Sequence, residues 1–168
     1  MEQNTVLSVG FGRADITPTE RVPLAGYGNT SRRISTTVLD PLYATCLALT
    51  GGETVLLYHV DLAAARDVYK NRLRPAISKA TGVDERCIFL TNTHNHSSPD
   101  VTNTAHDTVL RYIDFLEARL IAAAKQALED RKPVTAMATG SIETQGMNFV
   151  RRYVLADGTY AGDNYGHF

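Results

Sequence analysis

Thr54-Val55-Leu56-Leu57-Tyr58-His59-Val60-Asp61 and Cys87-Ile88-Phe89-Leu90-Thr91-Asn92 are the two stretches that decide the fold. Each is a short, nearly continuous apolar run, the pattern of a central strand covered on both faces. Between them Val68, Leu73, Ala76, Ile77 and Ala80 recur at helical spacing, so residues 63 to 80 read as a helix. Pro75 should kink it and Gly82 should end it. Strand, helix, strand in that order implies a parallel pair joined by a right-handed crossover.

Working outward, Leu42 to Thr50 joins Thr54 to Val60 through Gly51-Gly52-Glu53, a hairpin signal because glycine tolerates the positive φ of tight turns. Val6 to Arg13 reads as a first strand, broken by Asp15-Ile16-Thr17-Pro18. Residues 20 to 41 read as a long irregular loop with a short strand near Val22 to Tyr27, and loops of that length are often functional. Downstream, Val109, Ile113, Leu116, Leu120, Ala124 and Ala127 form one apolar stripe and predict a helix over 108–130. Asp107 is the expected cap and Pro133 the stop. Val134 to Thr144 reads as a last strand and 148–168 as an irregular tail. The expectation is an α/β fold across residues 1–168. The pattern predicts a mixed β-sheet with a βαβ unit and flanking helices.

A net charge of −1 gives no electrostatic footprint for nucleic acid or an acidic membrane. No run approaches the roughly 18 apolar residues of a membrane span. Met1-Glu2-Gln3-Asn4 has neither the basic start nor the apolar stretch of a secretory signal, so a cytoplasmic location is expected. Cys46 and Cys87 lie singly inside apolar runs and read as buried small hydrophobes.

The chemistry sits in Phe89-Leu90-Thr91-Asn92-Thr93-His94-Asn95-His96-Ser97-Ser98-Pro99-Asp100. A His-x-His pair leaves a buried strand where open α/β sheets place their ligands. In extended backbone, residues i and i+2 point to one side, so both imidazoles can converge. A bare pair is a short motif, and two solvated loop histidines are the ordinary alternative. The His-x-His-x-Asp-His metal motif is excluded by Ser98 and Pro99, and no His-Glu-x-x-His is present.

Gly12-Arg13-Ala14-Asp15-Ile16-Thr17, Gly26-Tyr27, Asp40-Pro41-Leu42-Tyr43-Ala44 and Thr93-His94-Asn95-His96-Ser97-Ser98-Pro99, in that order, resemble the neutral/alkaline non-lysosomal ceramidase family. The family's hallmark reads Thr-His-Thr-His-Ser/Ala-Gly-Pro, so Asn95 and Ser98 depart from it. Asn148-Phe149-Val150-Arg151 resembles the family's Asn-x-Asn-Arg, with Val150 the departure. The resemblance implies a zinc hydrolase that cleaves an N-acyl amide by metal-activated water, with a small-molecule or lipid substrate. It assigns His94 as a metal ligand, His96 as the proton-handling residue beside it, and Arg151 as a contact to the substrate's polar group. The family's other ligands match nothing here, so a second half of the site is expected beyond residue 168 and the isolated chain is expected to be inactive.

Asp61 follows a strand and reads either as partner to a histidine's second nitrogen or as the cap of the next helix. His59 reads as a core histidine, His106 as part of the turn before the long helix, and His167 as tail. Arg32 and Arg33 read as solvated charges, and Tyr27 and Tyr43 as packing aromatics. The rival function is a non-catalytic α/β fragment or binding module without a complete metal site.

Overall fold

The structure is a computed structural model that describes residues 6–27, 32–147 and 152–162. The chain divides into two compact units, residues 1–135 and 136–168. The first holds a five-stranded sheet. Strands β1 (Ser8–Asp15), β2 (Tyr43–Gly51) and β3 (Glu53–Val60) form an antiparallel meander, and β4 (Ile88–Asn92) adds parallel to β3. A two-residue strand β5 (Lys132–Pro133) pairs with the far side of β1, giving the order β4-β3-β2-β1-β5. The expected parallel pair is therefore present, but β4 is an edge strand rather than a central one.

The hairpin turns at Gly52, whose φ of 100° only glycine adopts without strain. The crossover runs through α1 (Arg66–Val68), a π-helical turn at Tyr69–Leu73, and α2 (Arg74–Thr81). Pro75 lacks an N–H and its ring crowds the carbonyl four residues back, which accounts for the widened turn immediately before it. Gly82, at φ 74°, ends the helix as expected.

The long helix α3 (Asp107–Glu129) lies against β1 and β2, and its stripe fills the core with Leu116, Leu120, Ala123, Ala124 and Ala127. Its N-cap is His106, not Asp107, and no side chain caps it. Two buried phenols tie helix to sheet: Tyr58 Oη donates to Leu120 O at 2.9 Å and Tyr112 Oη to Ile16 O at 2.8 Å. Cys46 is 2% exposed and burial pushes its thiol up to about 12, so it acts as a small hydrophobe. Cys87 is half-buried and closes the 3-10 turn Glu85–Cys87 rather than lying inside β4.

The expectation that β3 is covered on both faces fails among the described residues. Helices α2 and α3 both lie on one face, where Leu73, Ile77, Leu116 and Leu120 share the core with Leu56 and Tyr58. On the other, strand register aligns Phe11, Leu47, Leu57 and Phe89 into one row across four strands. Phe11 is 63%, Leu57 37% and Phe89 50% exposed. His59 faces this open side too, its Nδ1 2.9 Å from Thr91 Oγ1, so it is not a core histidine.

The strand read over Val134 to Thr144 does not form: the pairing lies just upstream, in β5, and Val134 adds only one bond, its N–H to Leu7 O at 2.8 Å. Because β1 begins at Ser8, later residues find no strand to pair with among those described. In the second unit, β6 (Arg152–Val154) and β7 (Tyr160–Gly162) form a small antiparallel hairpin where an irregular tail was expected. Among the described residues no helix is long and apolar enough to cross a membrane.

Sheet and helix approach each other through glycine. A Cβ on Gly12 would stand 2.0 Å from Ala123 O and one on Gly10 2.1 Å from Ala127 O, both backbone atoms that cannot yield. Gly12→Ala is expected to lower unfolding free energy by about 3 kcal/mol or more in urea titrations. Gly140→Ala, which meets nothing within 4 Å, should stay within about 0.5 kcal/mol of the parent.

Candidate metal and proton-transfer site

Parallel pairing carries the chain past the ends of β3 and β4 into the site. Thr93 N–H donates to Val60 O and His94 N–H to Leu62 O, each at 3.0 Å. His94 then turns to φ 57°, left-handed backbone that a non-glycine residue adopts only under local constraint. The constraint is visible in its ring, whose Nδ1 lies 2.7 Å from Ala63 O. A carbonyl only accepts, so Nδ1 carries the proton and Nε2 of the neutral ring keeps its lone pair.

His96 Nε2 stands 3.4 Å from His94 Nε2, with the rings 5.0 Å apart and nearly perpendicular. The convergence expected from extended backbone is therefore reached through a turn instead. The Asn95 side chain holds that turn by accepting from Ser97 N–H at 3.0 Å.

Ser98, fully buried, accepts the N–H of Ala63 at 3.1 Å and so joins the two strand ends. The early loop supplies the other wall. Leu24 bridges to Pro99, Ala25 N–H donates to Ser98 O at 2.9 Å, and Asp100 N–H donates to Pro23 O at 2.8 Å. His94, His96, Gly26, Ala63, Asp100 and Thr102 line an open cavity of about 240 Å³. That volume suits an ion and a small polar group and falls short of a lipid-sized pocket.

Asp61 takes neither expected role. Its carboxylate accepts Tyr43 N–H at 2.8 Å, and the Ala63 carbonyl occupies the place beside His94 Nδ1. Nor does it cap α1, which has no side-chain cap. Asn92 at the end of β4 is held by the buried Tyr69, whose phenol burial pushes up and keeps as a neutral donor. His106 sits at the start of α3 as expected. Tyr43 packs under the guanidinium of Arg13, 3.4 Å from its ring centre. Arg151, the rest of its Asn148–Arg151 motif and His167 lie outside the described residues.

Sequence reading missed Gly26, Ala63, Asp100 and the clamp made by Arg33. None belongs to a local periodic pattern, and only Gly26 and Asp100, as parts of quoted segments, carried any signal. Asp100 Oδ1 accepts from both the N–H and Oγ1 of Thr102, at 3.1 and 2.6 Å.

The donor set fits part of a zinc site. His94, with its Nε2 lone pair free, lines the cavity and could serve as one ligand, and His96 Nε2 stands within hydrogen-bond distance of it at 3.4 Å. Among the described residues no group of three or more His, Cys, Asp or Glu is placed to hold a metal.

The fold class is mixed α/β, with the His94/His96 loop at the C-terminal edge of the parallel β3–β4 pair. No family model matches the chain, and no curated protein matches it. Among solved structures it is similar to the neutral ceramidase from Pseudomonas aeruginosa, with a TM-score of 0.64 and 19% identity. The match covers 78% of this chain and 23% of that one. At this identity the likeness shows the fold, and the chain spans about a quarter of that structure's length.

Replacing Ser98 by Ala leaves Ala63 N–H buried without a partner. Ser98→Ala is expected to cost about 1–3 kcal/mol in chemical denaturation, whereas Ser97→Ala, whose side chain is exposed, should cost less than about 0.5 kcal/mol.

Proposed function

We propose that the His94/His96 loop is part of the active site of a zinc-dependent hydrolase that cleaves an N-acyl amide. The observation that carries this reading is the convergence of the two Nε2 atoms at 3.4 Å while His94 Nδ1 is held by the Ala63 carbonyl. That carbonyl fixes the tautomer and ring plane, as partners of metal-ligating histidines commonly do.

His94 Nε2 is the ligand in this scheme. Zinc, when bound, supplies Lewis-acid polarisation of the amide carbonyl and lowers the pKa of water. His96, one ring away and open to the cavity, takes up a proton and returns it to the departing amine, the work imidazole does near neutral pH. Arg151 is assigned to the substrate's polar group on the strength of its motif alone. Asp61 is given no chemical step, since its carboxylate is engaged by Tyr43 N–H. The remaining ligands come from outside the described residues. The substrate class is an N-acyl compound, with no particular acyl chain specified by a cavity of this size.

A non-catalytic binding module is favoured by one observation, the absence of a third ligand among the described residues. Two measurements separate the readings. The first is zinc retained after gel filtration. The second is zinc-dependent turnover of a fluorogenic N-acyl amide by residues 1–168 and by the longest polypeptide their gene encodes. The hydrolase reading expects weak zinc and no turnover from residues 1–168, because catalytic zinc normally keeps three protein ligands. It expects both properties in a longer polypeptide that supplies the rest. In that polypeptide His94→Ala should abolish retained zinc, and His96→Ala should keep most zinc and lose turnover. Equal zinc loss in both variants would make His96 a ligand and overturn the division of roles. Stoichiometric zinc and turnover from residues 1–168 alone would overturn the incompleteness of the site.

A further inference from the structure

We infer that Arg33 is a positioning residue for His96, holding the early loop as a wall behind its ring. The inference rests on reading His94 and His96 as the reacting pair.

Arg33 looked like a solvated loop charge, yet it is half-buried and makes three contacts across the site. Its Nη1 donates to Ala25 O at 2.8 Å and its Nη2 to His96 O at 3.1 Å. Its Cζ lies 4.9 Å from the centre of the Tyr27 ring. Tyr27 in turn meets the His96 ring edge-on, 5.1 Å between centroids and 88° between planes. A continuous series of contacts thus runs from the guanidinium through Tyr27, His96 and His94 to the Ala63 carbonyl.

The backbone between the two clamped carbonyls explains why the wall is close. Gly26 sits at φ 118°, and a Cβ there would lie 2.5 Å from His96 Cβ. His96 therefore rests directly on the Gly26 backbone, and its ring depends on where that backbone is held. Arg33 holds it by bridging the carbonyl before Gly26 to the carbonyl of His96 itself. Only a planar, forked donor can bond two carbonyls while stacking on an aromatic face; lysine offers a single compact charge.

The test uses isotope-labelled residues 1–168 with Zn²⁺ alone as the added probe. It compares the parent, Arg33→Ala and Arg33→Lys. In Arg33→Ala the nuclear Overhauser contact between the Tyr27 and His96 rings should lose most of its intensity, while the proton on His94 Nδ1 stays in place. The shift that Zn²⁺ induces in the His96 ring signals should fall by about half, because a ring no longer held by Arg33 leaves its place beside His94, while half-saturation stays near the parental value since His94 is the ligand. Arg33→Lys should recover the melting temperature without recovering the ring contact.

An unchanged ring contact and unchanged zinc response in folded Arg33→Ala would overturn the assignment. If Arg33→Ala does not fold, Arg33→Lys decides: loss of the ring contact with native melting supports the role, and parental intensity overturns it. Zinc that moves neither histidine in the parent would instead overturn the hydrolase reading. The ring contact alone would then judge Arg33.

Discussion

Backbone contact between β1 and α3 is the constraint on which the remainder of the first unit depends. Gly10 and Gly12 remove every side-chain atom between strand and helix, and the facing helix positions, Ala123 and Ala127, are nearly as small. The helix therefore seats directly on the sheet. Larger groups flank the seat, with Tyr58 reaching Leu120 O and Tyr112 reaching Ile16 O, so the depth of packing is set at the glycines and locked by buried hydrogen bonds. Once α3 is seated, alternate residues of every strand are committed inward, because side chains along a strand alternate faces. Gly12, Cys46, Tyr58 and Leu90 go to the helices, and their neighbours Phe11, Leu47, Leu57 and Phe89 go to the other face.

That second face clarifies what the apolar runs were reporting. Leu57 and Phe89 made β3 and β4 look buried on both sides, and their chemistry suits burial. A row of four apolar side chains across four strands is a surface suited to packing against a further layer, since monomers seldom leave contiguous patches of that kind in water. Among the described residues, helices cover only one face of these strands. Local pattern reports what a strand wants on each side. It does not report which segment satisfies it.

The elements most legible in the sequence were those whose signal is local. The Gly51–Glu53 hairpin, the crossover to a parallel β4, the stop at Gly82 and the stripe of α3 all follow from turn chemistry or periodicity within a short window. The placement of His94 and His96 at the C-terminal edge followed from the strand preceding them. What stayed hidden was set by contacts between distant segments. Arg33 meets His96 across 63 positions, and Ser98 meets Ala63 across 35. Neither pairing leaves a periodic trace. Asp61 was misjudged because a carboxylate at a strand end has several donors in reach, and the nearest, Tyr43 N–H, belongs to the neighbouring strand. Val134 to Thr144 reads as a strand, but among the described residues only Val134 finds a sheet partner, and a strand is made by its partner as much as by its own residues.

The candidate site is best understood as a junction of three chain segments, each of which restrains a different degree of freedom of the histidine pair. The end of β3 fixes His94, through the Leu62 carbonyl to its backbone and the Ala63 carbonyl to its ring. The end of β4 fixes where the loop departs, since the buried Tyr69 holds Asn92 and Thr93 still pairs with Val60. The early loop fixes His96 from behind through Gly26 and the Arg33 fork. The left-handed backbone at His94 is held on either side of the chain by Leu62 O, which takes its N–H, and Ala63 O, which takes its ring. The result is a pair of imidazole nitrogens held 3.4 Å apart, positioned largely through backbone carbonyls and amides. Side-chain identity matters at few positions in such a design. Ser98 illustrates the point: where the resembled family carries glycine, its hydroxyl adds one more bond between strand ends without entering the cavity lining.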